Sequence, residues 1–438
     1  MSSNSPHALT AKYPHTDPVR SLEAGWREVA YTPDAEVDAA AGLDRGGRLP
    51  ELIDGPPNLM ERLNGLAVAV IGAGSIGMHT TDAIARLGAG ALLICDGRLT
   101  KPESLLTHPI RRTEVGVSKA RLAALRAKEI SPESRVAYYD GPFQSLPRDA
   151  LFDANHVILS TDNLAAEVSV AQACLHLGRP LVQAALFGPA LVGQARSFSS
   201  DGSGEGSCPV CAYTAKEWAE LDRGTRFSCE GAATAGGSSA PEPSNIPTVS
   251  FPHLCSISSN LAIDALLRSC LELGTAIDGA EIVNYCGYTG VSTRSPLARN
   301  PSCPLEHRAW RVCTAESALE SLTPRDLARI AGYRDADLRL LSLGVEHHCF
   351  AALVACHCAG HGSLGRFVRD GQELGACSRC GAAKVLHPLH AHRDVPASAL
   401  IRDFDRSLGA LGVASTPTVL VRGPQAATLI RRAPSQKV

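Results

Sequence analysis

A glycine-rich turn between a strand and a helix constrains the fold of this chain more than any other feature. It lies in VAVIGAGSIGMHTTDAIARLGAGALLICDG, residues 68–97. LAVAVIG is typical of a buried strand, MHTTDAIARLG of a helix that ends at Gly88, and ALLICD of a second buried strand. Gly72, Gly74 and Gly77 form G-x-G-x-x-G between the first strand and the helix. The sequence therefore predicts one βαβ unit of a parallel sheet.

The same turn predicts a nucleotide site. Glycines allow a tight turn and a close approach of the backbone to a ligand, and the N–H groups that open the next helix can bind phosphate. Asp96 follows the second strand, where a carboxylate can accept hydrogen bonds from ribose hydroxyls. The alternative is a crossover that needs glycine only for packing, but the placement of Asp96 favours binding. The motif does not distinguish NAD, FAD and ATP, since all three carry ribose and phosphate.

Predicted strands and helices continue to alternate after this unit. The helix SKARLAALRAKEI, the strands RVAYYD and HVILSTD, the helix LAAEVSVAQACLHLG and the strand PLVQAALFG follow in turn. This order predicts an α/β fold with a Rossmann-like, doubly wound, mostly parallel sheet. HLCSISSNLAIDALLRSCLELG then predicts a long helix, and the stretch from there to His307 is expected to be an irregular return.

Composition divides the 438 residues into three parts. Residues 1–60 show no sustained periodicity apart from a helical pattern around residues 34–43, and are expected to be an N-terminal extension. Residues 61–322 form the predicted nucleotide-binding domain, with a mobile loop at 222–252. Residues 323–438 are expected to form a small C-terminal region with a short helix, a zinc-ribbon-like cluster, and a final helix and strand in ALIRDFDRSLGALG and PTVLVRG.

Charge and cysteine content narrow the class of protein. A formal net charge of -2 gives no overall field that would recruit nucleic acid or an anionic membrane. The N-terminus lacks the apolar core of a secretion signal, and no apolar run reaches the roughly 18 residues of a membrane span. The 15 cysteines include two C-x-x-C pairs, which favours metal binding over disulfides and predicts a cytoplasmic location.

Six features occur in an order that resembles one enzyme superfamily. GAGSIG, the strand end at Asp96, VGVSKA, STDN, CPVC and NPSCP are similar to the adenylation domain of the ThiF/MoeB/HesA and ubiquitin-activating (E1-like) superfamily, from about Leu63 to His307. The resemblance implies that residues 61–322 are an ATP-binding adenylation domain, and that the protein is a homodimer. It also implies that the C-terminal carboxylate of a small ubiquitin-like or sulfur-carrier protein is activated with ATP and Mg²⁺.

The resemblance assigns roles to three charged residues. Asp96 would hold the ribose, Lys119 of VGVSKA the phosphates, and Asp162 of STDN the magnesium ion. Attack of a carboxylate on the α-phosphorus brings two anions together, so a lysine and a metal held by a carboxylate are needed to neutralise charge. Taken singly, Lys119 could be a solvated helix lysine, and Asp162 could belong to a turn or a helix cap before Leu164. Their joint occurrence in register favours the functional interpretation.

One segment departs from the superfamily pattern. The family has a motif like S-N-L-x-R between the ribose acid and the lysine, whereas this chain reads PESLLTHPIRR. Ser104 fits and is expected at the nucleotide, but the arginine position falls on Thr107 or His108. Arg111 or Arg112 could substitute from a shifted loop. The R-Y-x-R-Q opening of some members is also absent, so reduced or altered ATP chemistry is an open alternative.

The resemblance also implies a zinc site. Cys208 and Cys211 of CPVC form a tight chelating turn, which the family pairs with a second C-x-x-C. Here the second pair is altered, because NPSCPLEH offers Cys303, then Glu306 where a cysteine would stand, and then His307. Cys303 and His307 are the predicted ligands, since an imidazole makes a better closed zinc site than a lone carboxylate.

A second cysteine cluster lies outside the stretch covered by the resemblance. CHCAGHG and GACSRCG predict a zinc ribbon, because C-x-C and C-x-x-C pairs are separated by a short segment. A region with little apolar mass gains stability from such a metal. The predicted ligands are Cys356, Cys358, Cys377 and Cys380, with His361 and Cys349 as further candidates.

Cys229 is the candidate nucleophile. It stands in TRFSCEGAATAGG, within the predicted mobile loop, and family members that carry their substrate beyond the adenylate hold a cysteine in this loop. Arg226 could lower the pKa of its thiol and so favour attack on an acyl-adenylate. The alternative is an incidental exposed cysteine.

Several functions stay open at this point. The main prediction is an E1-like adenylyltransferase that acts on a carrier protein, with possible transfer to a cysteine. Adenylation of a peptide in natural-product biosynthesis and a catalytically silent carrier-binding module are alternatives. An NAD-dependent oxidoreductase would use the same glycine turn, but it would not explain VGVSKA, STDN and the cysteine pair together.

Overall fold

Two compact units make up the chain in a computed structural model. The first comprises Met1–Leu146 and Ala150–Ala309, and the second comprises Pro147–Asp149 and Trp310–Val438. The structure describes residues 16–21, 26–31, 56, 58–199, 204–222, 250–273, 279–356, 358, 361–377, 379–386 and 391–433. The helical pattern around residues 34–43 and nearly all of the loop 222–252 lie outside these residues.

The described part of the first unit consists of one large sheet and the helices around it. Its strands are β1 Thr16–Ser21, β2 Arg27–Tyr31, β3 Ala67–Ile71, β4 Ala91–Cys95, β5 Arg135–Tyr139, β6 His156–Leu159, β7 Leu181–Phe187, β8 Val192–Phe198, β9 Ala280–Cys286 and β10 Val291–Pro296. Its helices are α1 Leu59–Asn64, α2 Ser75–Leu87, α3 Lys119–Ile130, α4 Leu164–Leu177, α5 Ala215–Asp222 and α6 Pro252–Leu271.

The ten strands are arranged in the order β1-β2-β5-β4-β3-β6-β7-β8-β9-β10. The five central strands of this order, β5, β4, β3, β6 and β7, are parallel to one another. On either side of them, β2 pairs with β5 and β8 pairs with β7 in antiparallel fashion. The parallel strands are apolar because helices cover them, and Val68, Val70 and Ile94 are fully buried. The predicted doubly wound, mostly parallel sheet is confirmed.

The topology locates a crevice beside β3. The chain builds outward from β3 to β4 and β5, and then crosses back to form β6 on the other side of β3. The connections leaving β3 and β6 therefore diverge to opposite sides, which opens a crevice at the carboxyl ends of these strands. In open α/β sheets, ligands bind at such a switch point. The glycine turn follows β3 directly.

Part of the predicted N-terminal extension belongs to the main sheet. β2 pairs with β5, and β1 pairs with β2. Trp26 is buried and its ring packs edge-on against Tyr139, with ring centroids 6.2 Å apart. Sequence periodicity did not show these short strands, because their partner β5 is about a hundred residues away.

The long predicted helix is α6, which packs on β7 and β8 and against α2. It is long and apolar enough to cross a membrane by length and composition. However, Cys255, Ala262 and Leu266 are buried in the core of the first unit, which is the behaviour of a central helix in a folded domain. The stretch after α6 is more regular than expected, because β9 and β10 form an antiparallel hairpin in place of an irregular return.

The second unit contains two smaller sheets in its described part. Its strands are β11 Arg311–Ala315, β12 Ser342–Val345, β13 His348–Ala355, β14 His361–Arg369, β15 Val385–Leu386, β16 Ala391–His392, β17 Asp394–Pro396, β18 Thr418–Arg422 and β19 Ala427–Arg432. One sheet has the order β11-β19-β18-β12-β17, and the other contains β14, β13, β15 and β16. The short helix α7, Pro324–Ile330, begins at a capping box formed by Thr323 and Asp326.

Two sequence expectations for this region differ from the structure. Residues 310–322 lie in the second unit and not with residues 61–309, because β11 pairs in parallel with the distant strand β19. The segment ALIRDFDRSLGALG, residues 399–412, begins at the end of a short 3₁₀ helix, Ala397–Leu400, and continues as turns in place of the predicted helix.

Candidate functional site

The glycine turn after β3 is held by backbone contacts to both neighbouring strands. Gly72 has a φ of 96°, which favours glycine, and its N–H donates to the carbonyl of Cys95 at 2.8 Å. On the other side, the hydroxyl of Ser160, just after β6, donates to the carbonyl of Gly72 at 2.7 Å. The turn is therefore fixed at the switch point itself. Ser160 was not singled out from the sequence, although it directly precedes the TDN of the STDN motif.

The other two glycines of the motif have different surroundings. A Cβ atom at Gly77 would overlap the carbonyl oxygen of Gly72 and lie 2.8 Å from the Ser160 hydroxyl, so this glycine permits the helix to pack on the turn. A Cβ atom at Gly74 would have its nearest described neighbour, the Nε2 atom of His108, 4.0 Å away. Gly74 is the N-cap of α2, and a Cβ atom there would overlap no described atom.

Asp96 is oriented by two backbone hydrogen bonds. Its Oδ2 accepts from the N–H of Ala73 at 2.8 Å, and its Oδ1 accepts from the N–H of Arg98 at 2.8 Å. Burial raises the pKa of Asp96, while the nearby Lys119 and these two N–H groups oppose the rise. Each carboxylate oxygen retains a further acceptor site. The structure thus places a fixed acceptor beside the glycine turn, where the ribose of a nucleotide is expected.

Lys119 stands near Asp96 because the segment between them is a closed loop. The backbone N–H of Lys119 donates to the carbonyl of Arg98 at 2.9 Å, and Lys119 is the first residue of α3. Ser118 caps this helix through a hydrogen bond from the N–H of Arg121. Lys119 has only 5% of its surface exposed, so it is not the solvated helix lysine of the alternative interpretation.

Asp162 lies at the same edge of the sheet, in the segment that follows β6. The N-cap of α4 is Asn163, whose side chain accepts from the N–H of Ala166 at 3.0 Å. The capping role that could have explained an acid here therefore belongs to its neighbour. Asp162 is exposed, which suits a group that meets a hydrated metal ion.

The structure gives the positions of the residues in the loop that departs from the family pattern. Ser104 is buried, and its hydroxyl accepts from the backbone N–H of Lys101 at 3.0 Å, which closes a local turn. Arg111 and Arg112 are exposed. His108, at the position where the family has its arginine or next to it, has its Nε2 atom 4.0 Å from the position of a Cβ atom at Gly74. The role of Ser104 at a nucleotide remains a prediction.

The first predicted zinc cluster is brought together as a compact group. Cys208 Sγ lies 3.7 Å from Cys211 Sγ, 3.9 Å from Cys303 Sγ and 3.6 Å from His307 Nε2, and Cys211 Sγ also lies 3.6 Å from that Nε2. A tetrahedral zinc ion with Zn–S of about 2.3 Å and Zn–N of about 2.0 Å requires S–S edges of about 3.8 Å and S–N edges of about 3.5 Å. These four edges fit this geometry, and all four ligand atoms lie within 4.8 Å of one another.

The sequence offered Glu306 and His307 as candidates for the fourth ligand, and the orientation of His307 favours His307. Its Nδ1 lies 2.7 Å from the carbonyl of Gly206, so Nδ1–H donates there and Nε2 faces the sulfurs. Glu306 pairs with His176 at 3.7 Å. The contact between the Cys208 and Cys211 sulfurs lowers the pKa of Cys211 and raises the pKa of Cys208.

The second cluster is also assembled, at the sheet that contains β13 and β14. The Sγ atoms of its four cysteines lie within 4.8 Å of one another. Cys356 and Cys358 Sγ are 2.8 Å apart, and Cys358 and Cys377 Sγ are 3.9 Å apart. The backbone N–H of Arg379 lowers the pKa of Cys377. The chemistry of this donor set is compatible with zinc, whereas the Cys356–Cys358 edge is about 1 Å shorter than a tetrahedral zinc ion requires. The fourth member is the exposed Cys380.

A buried carboxyl that sequence reasoning missed connects the first cluster to the helix after Asp162. Glu167, in the first turn of α4, accepts from the amide of Gln183 and the hydroxyl of Tyr213, each at 2.9 Å. Burial raises its pKa to about 7. Tyr213 follows Cys211 by two residues. The sequence contained one signal, a glutamate within an otherwise apolar helix, LAAEVSVAQACLHLG.

A doubly wound sheet with a glycine turn at its switch point and a Cys₃His cluster defines the class of this domain. Residues 49–355 match the ThiF family, and the chain belongs to this family. The expected E1-like adenylyltransferase is thereby confirmed at the level of the family. Cys229, the candidate nucleophile, lies outside the described residues.

Named relatives are similar at low identity. The chain is 22% identical over 272 residues to the SAMP-activating enzyme E1 of Haloferax volcanii, covering 61% of this chain and 89% of that enzyme. It is 23% identical over 283 residues to ubiquitin-like modifier-activating enzyme 5 of Bombyx mori, covering 61% of this chain and 65% of that enzyme. A crystal structure of E. coli MccB with ATP superposes with a TM-score of 0.44 at 14% identity, covering 56% of this chain and 68% of MccB.

Proposed function

We propose that this protein activates the C-terminal carboxylate of a small ubiquitin-like or sulfur-carrier protein by adenylation with ATP and Mg²⁺. The two relatives described above are named as activating enzymes, one of them for a ubiquitin-like modifier. The observation that carries the proposal is the juxtaposition of an open glycine at the N-terminus of α2 with the fixed acceptor Asp96, while Asp162 lies at the same edge of the sheet.

Each of these residues contacts a different part of ATP in this proposal. Asp96 accepts hydrogen bonds from the ribose, and the N–H groups at the start of α2 receive a phosphate. Lys119 neutralises phosphate charge beside the ribose acid. A magnesium ion held by Asp162 would stabilise negative charge on the pyrophosphate as it forms.

The chemical step that follows is a displacement at phosphorus. An oxygen of the carrier's terminal carboxylate attacks the α-phosphorus and forms a new O–P bond. The bond between the α-phosphorus and the bridging oxygen breaks, and pyrophosphate leaves. The chain's contribution is to hold the two anionic reactants in line and to offset their charge.

Transfer to a cysteine is the second part of the proposal. A thiolate at Cys229 would attack the acyl carbon of the adenylate, forming a thioester and releasing AMP. The two cysteine clusters are proposed zinc sites with structural roles, because all four donors of each come from the protein. The homodimer predicted from the sequence also remains part of the proposal.

Exchange between pyrophosphate and ATP tests the adenylation step. Candidate carriers that end in Gly-Gly should support incorporation of labelled pyrophosphate into ATP, because adenylation is reversible. The matched control is the same carrier with a C-terminal amide, which lacks the attacking oxygen anion and should support none. Exchange with a free peptide but not with a carrier would favour the peptide alternative. Carrier binding without exchange would favour the silent module and reject the proposal.

The cysteine step has its own readout. Enzyme, ATP and an active carrier should form a covalent adduct that hydroxylamine cleaves. Cys229→Ala should lose this adduct but keep pyrophosphate exchange, since adenylation precedes transfer. If Cys229→Ala retains both the adduct and full product formation, the cysteine is not the nucleophile.

A further inference from the structure

The short segment that carries Asp162 is fixed at both of its ends. It comprises residues 160–163, between the last residue of β6 and the first residue of α4. At its start, the Ser160 hydroxyl donates to a carbonyl of the glycine turn at 2.7 Å. At its end, Asn163 caps α4, and its carbonyl accepts from the N–H of Glu167 at 2.9 Å. The position of Asp162 therefore depends on where the first turn of α4 lies.

The carboxyl of Glu167 attaches that first turn to two other parts of the domain. Its Oε2 atom accepts from the side-chain amide of Gln183 on β7 and from the hydroxyl of Tyr213, each at 2.9 Å. The backbone N–H of Tyr213 donates to the carbonyl of Val210 at 3.1 Å, so Tyr213 is fixed to the turn that carries Cys211. Glu167 is 9% exposed and Gln183 is 4% exposed, and hydrogen bonds at such buried positions are strong because water competes little for them.

Glu167 and Asp162 also interact through space. Burial raises the pKa of Glu167, the hydrogen bonds from Tyr213 and Gln183 oppose this rise, and the negative charge of Asp162 adds to it. The two carboxyls are therefore close enough to influence each other. The arrangement of Glu167 thus acts on Asp162 both through the backbone of α4 and through the electrostatic field.

We propose that Glu167 is a positioning residue, which holds the first turn of α4 against β7 and Tyr213 and so keeps Asp162 in place for the divalent ion of ATP. This inference rests on the proposed function and adds to it a residue that acts through Asp162. Without the carboxyl, Tyr213 and Gln183 lose their shared acceptor, and the first turn of α4 loses these two attachments. Asp162 then meets the ion from a wider range of positions, which weakens a site for Mg²⁺ because this ion demands near-ideal geometry.

The strengthening of ATP binding by Mg²⁺ tests this inference. Isothermal titration gives the ratio of the ATP dissociation constants without and with Mg²⁺, and a general loss of stability does not change this ratio for the folded protein. Glu167→Leu keeps similar bulk and removes the acceptor, so it should lower the ratio about tenfold, comparable with the smaller losses of metal affinity that follow removal of a group orienting a ligand. Glu167→Gln should keep the wild-type ratio, because both hydrogen bonds go to one oxygen atom and an amide oxygen can accept them.

Tyr213→Phe is a second variant, which keeps the buried ring and loses only the hydroxyl. It should lower the same ratio about threefold, the effect of losing one hydrogen bond. Combined with Glu167→Leu it should lower the ratio no further, because the two residues act through one contact.

The matched control is Glu281→Leu. Glu281 is a buried glutamate like Glu167, with 5% of its surface exposed, and it pairs with Arg268 and Arg294. It lies near the start of β9, which runs parallel to β7, and therefore at the edge of the sheet away from the crevice. This variant should lose stability and keep the wild-type ratio.

The possible outcomes separate this inference from the proposed function. A wild-type ratio in both Glu167→Leu and Tyr213→Phe, an equal fall in Glu281→Leu, or a ratio as low in Glu167→Gln as in Glu167→Leu would overturn the inference and leave the proposed function intact. A protein whose ATP binding responds to Mg²⁺ and to these variants, but which never exchanges pyrophosphate, would overturn only the proposed function. ATP binding that Mg²⁺ does not strengthen would overturn the inference together with the role proposed for Asp162.

Discussion

Alanine at two glycines of the same turn should have opposite effects. In Gly77→Ala the new Cβ overlaps the carbonyl oxygen of Gly72 and lies 2.8 Å from the Ser160 hydroxyl. The first turn of α2 must then move off the glycine turn, which should lower the free energy of unfolding by about 3 kcal/mol, at the upper end of overpacking effects. In Gly74→Ala the new Cβ has 4.0 Å to its nearest described neighbour, and the φ of -75° is open to alanine. Its stability should change by less than about 1 kcal/mol.

The order of the two variants should be reversed for ATP affinity, which Gly74→Ala should lower more than Gly77→Ala. The Cβ atom in Gly74→Ala fills the space through which a phosphate would reach the N–H groups of α2, so ATP affinity should fall at least about tenfold. Urea unfolding followed by circular dichroism measures the first effect, and isothermal titration with ATP measures the second. The reasoning is refuted if Gly74→Ala binds ATP like the wild type, or if Gly77→Ala is as stable as the wild type.

Three further predictions concern the acid and lysine of the site, the metals and the second unit. Asp162→Asn should abolish pyrophosphate exchange with an unchanged unfolding curve, because the helix cap is its neighbour; Lys119→Ala should lower exchange roughly ten- to a thousandfold. Unchanged exchange in either variant rejects that assignment. Protein purified without chelator should contain two zinc ions per chain, one for each cluster, and Cys377→Ser should lose one while keeping exchange. Metal-free protein would contradict both sites. Glu346 is 4% exposed, and burial raises its pKa to about 7 from 4.5. The folded state thus binds this proton more tightly, so its stabilisation is present below pH 4.5 and is lost as pH rises to about 7, by up to about 3 kcal/mol. Glu346→Gln should remove this dependence and the exposed Glu373→Gln should not; equal pH profiles for all three proteins would count against it.

The sequence alone predicted the core of the proposed nucleotide site. A strand, a helix and the G-x-G-x-x-G spacing specify their own local geometry, because hydrophobic periodicity and glycine conformation act between near neighbours. The same hydrophobic pattern predicts that one strand ends at Asp96 and that another ends just before Asp162. Parallel strands place their carboxyl ends at one edge of the sheet, so both residues are expected at that edge. The second cysteine cluster was predicted from residue type and spacing, and the first from the resemblance of CPVC and NPSCP to the family pattern.

Choices between neighbouring residues were decided by the tertiary structure. The sequence offered Glu306 and His307 as alternatives, and the carbonyl of Gly206 turns the imidazole toward the sulfurs. It also offered Arg111 and Arg112 as substitutes for the missing arginine, and both are exposed, whereas His108 lies beside Gly74. Both outcomes depend on atoms that are remote along the chain.

The domain boundaries were also decided by distant pairing. β2 pairs with β5 about a hundred residues later, and β11 pairs with β19 more than a hundred residues later. Such short strands have little periodicity of their own, and a partner's hydrogen bonds and buried face stabilise them. The sequence by itself therefore determined the local βαβ unit and the residue types of its site. Only the folded chain could decide which distant segments complete the sheets, because that choice depends on contacts between residues far apart in sequence.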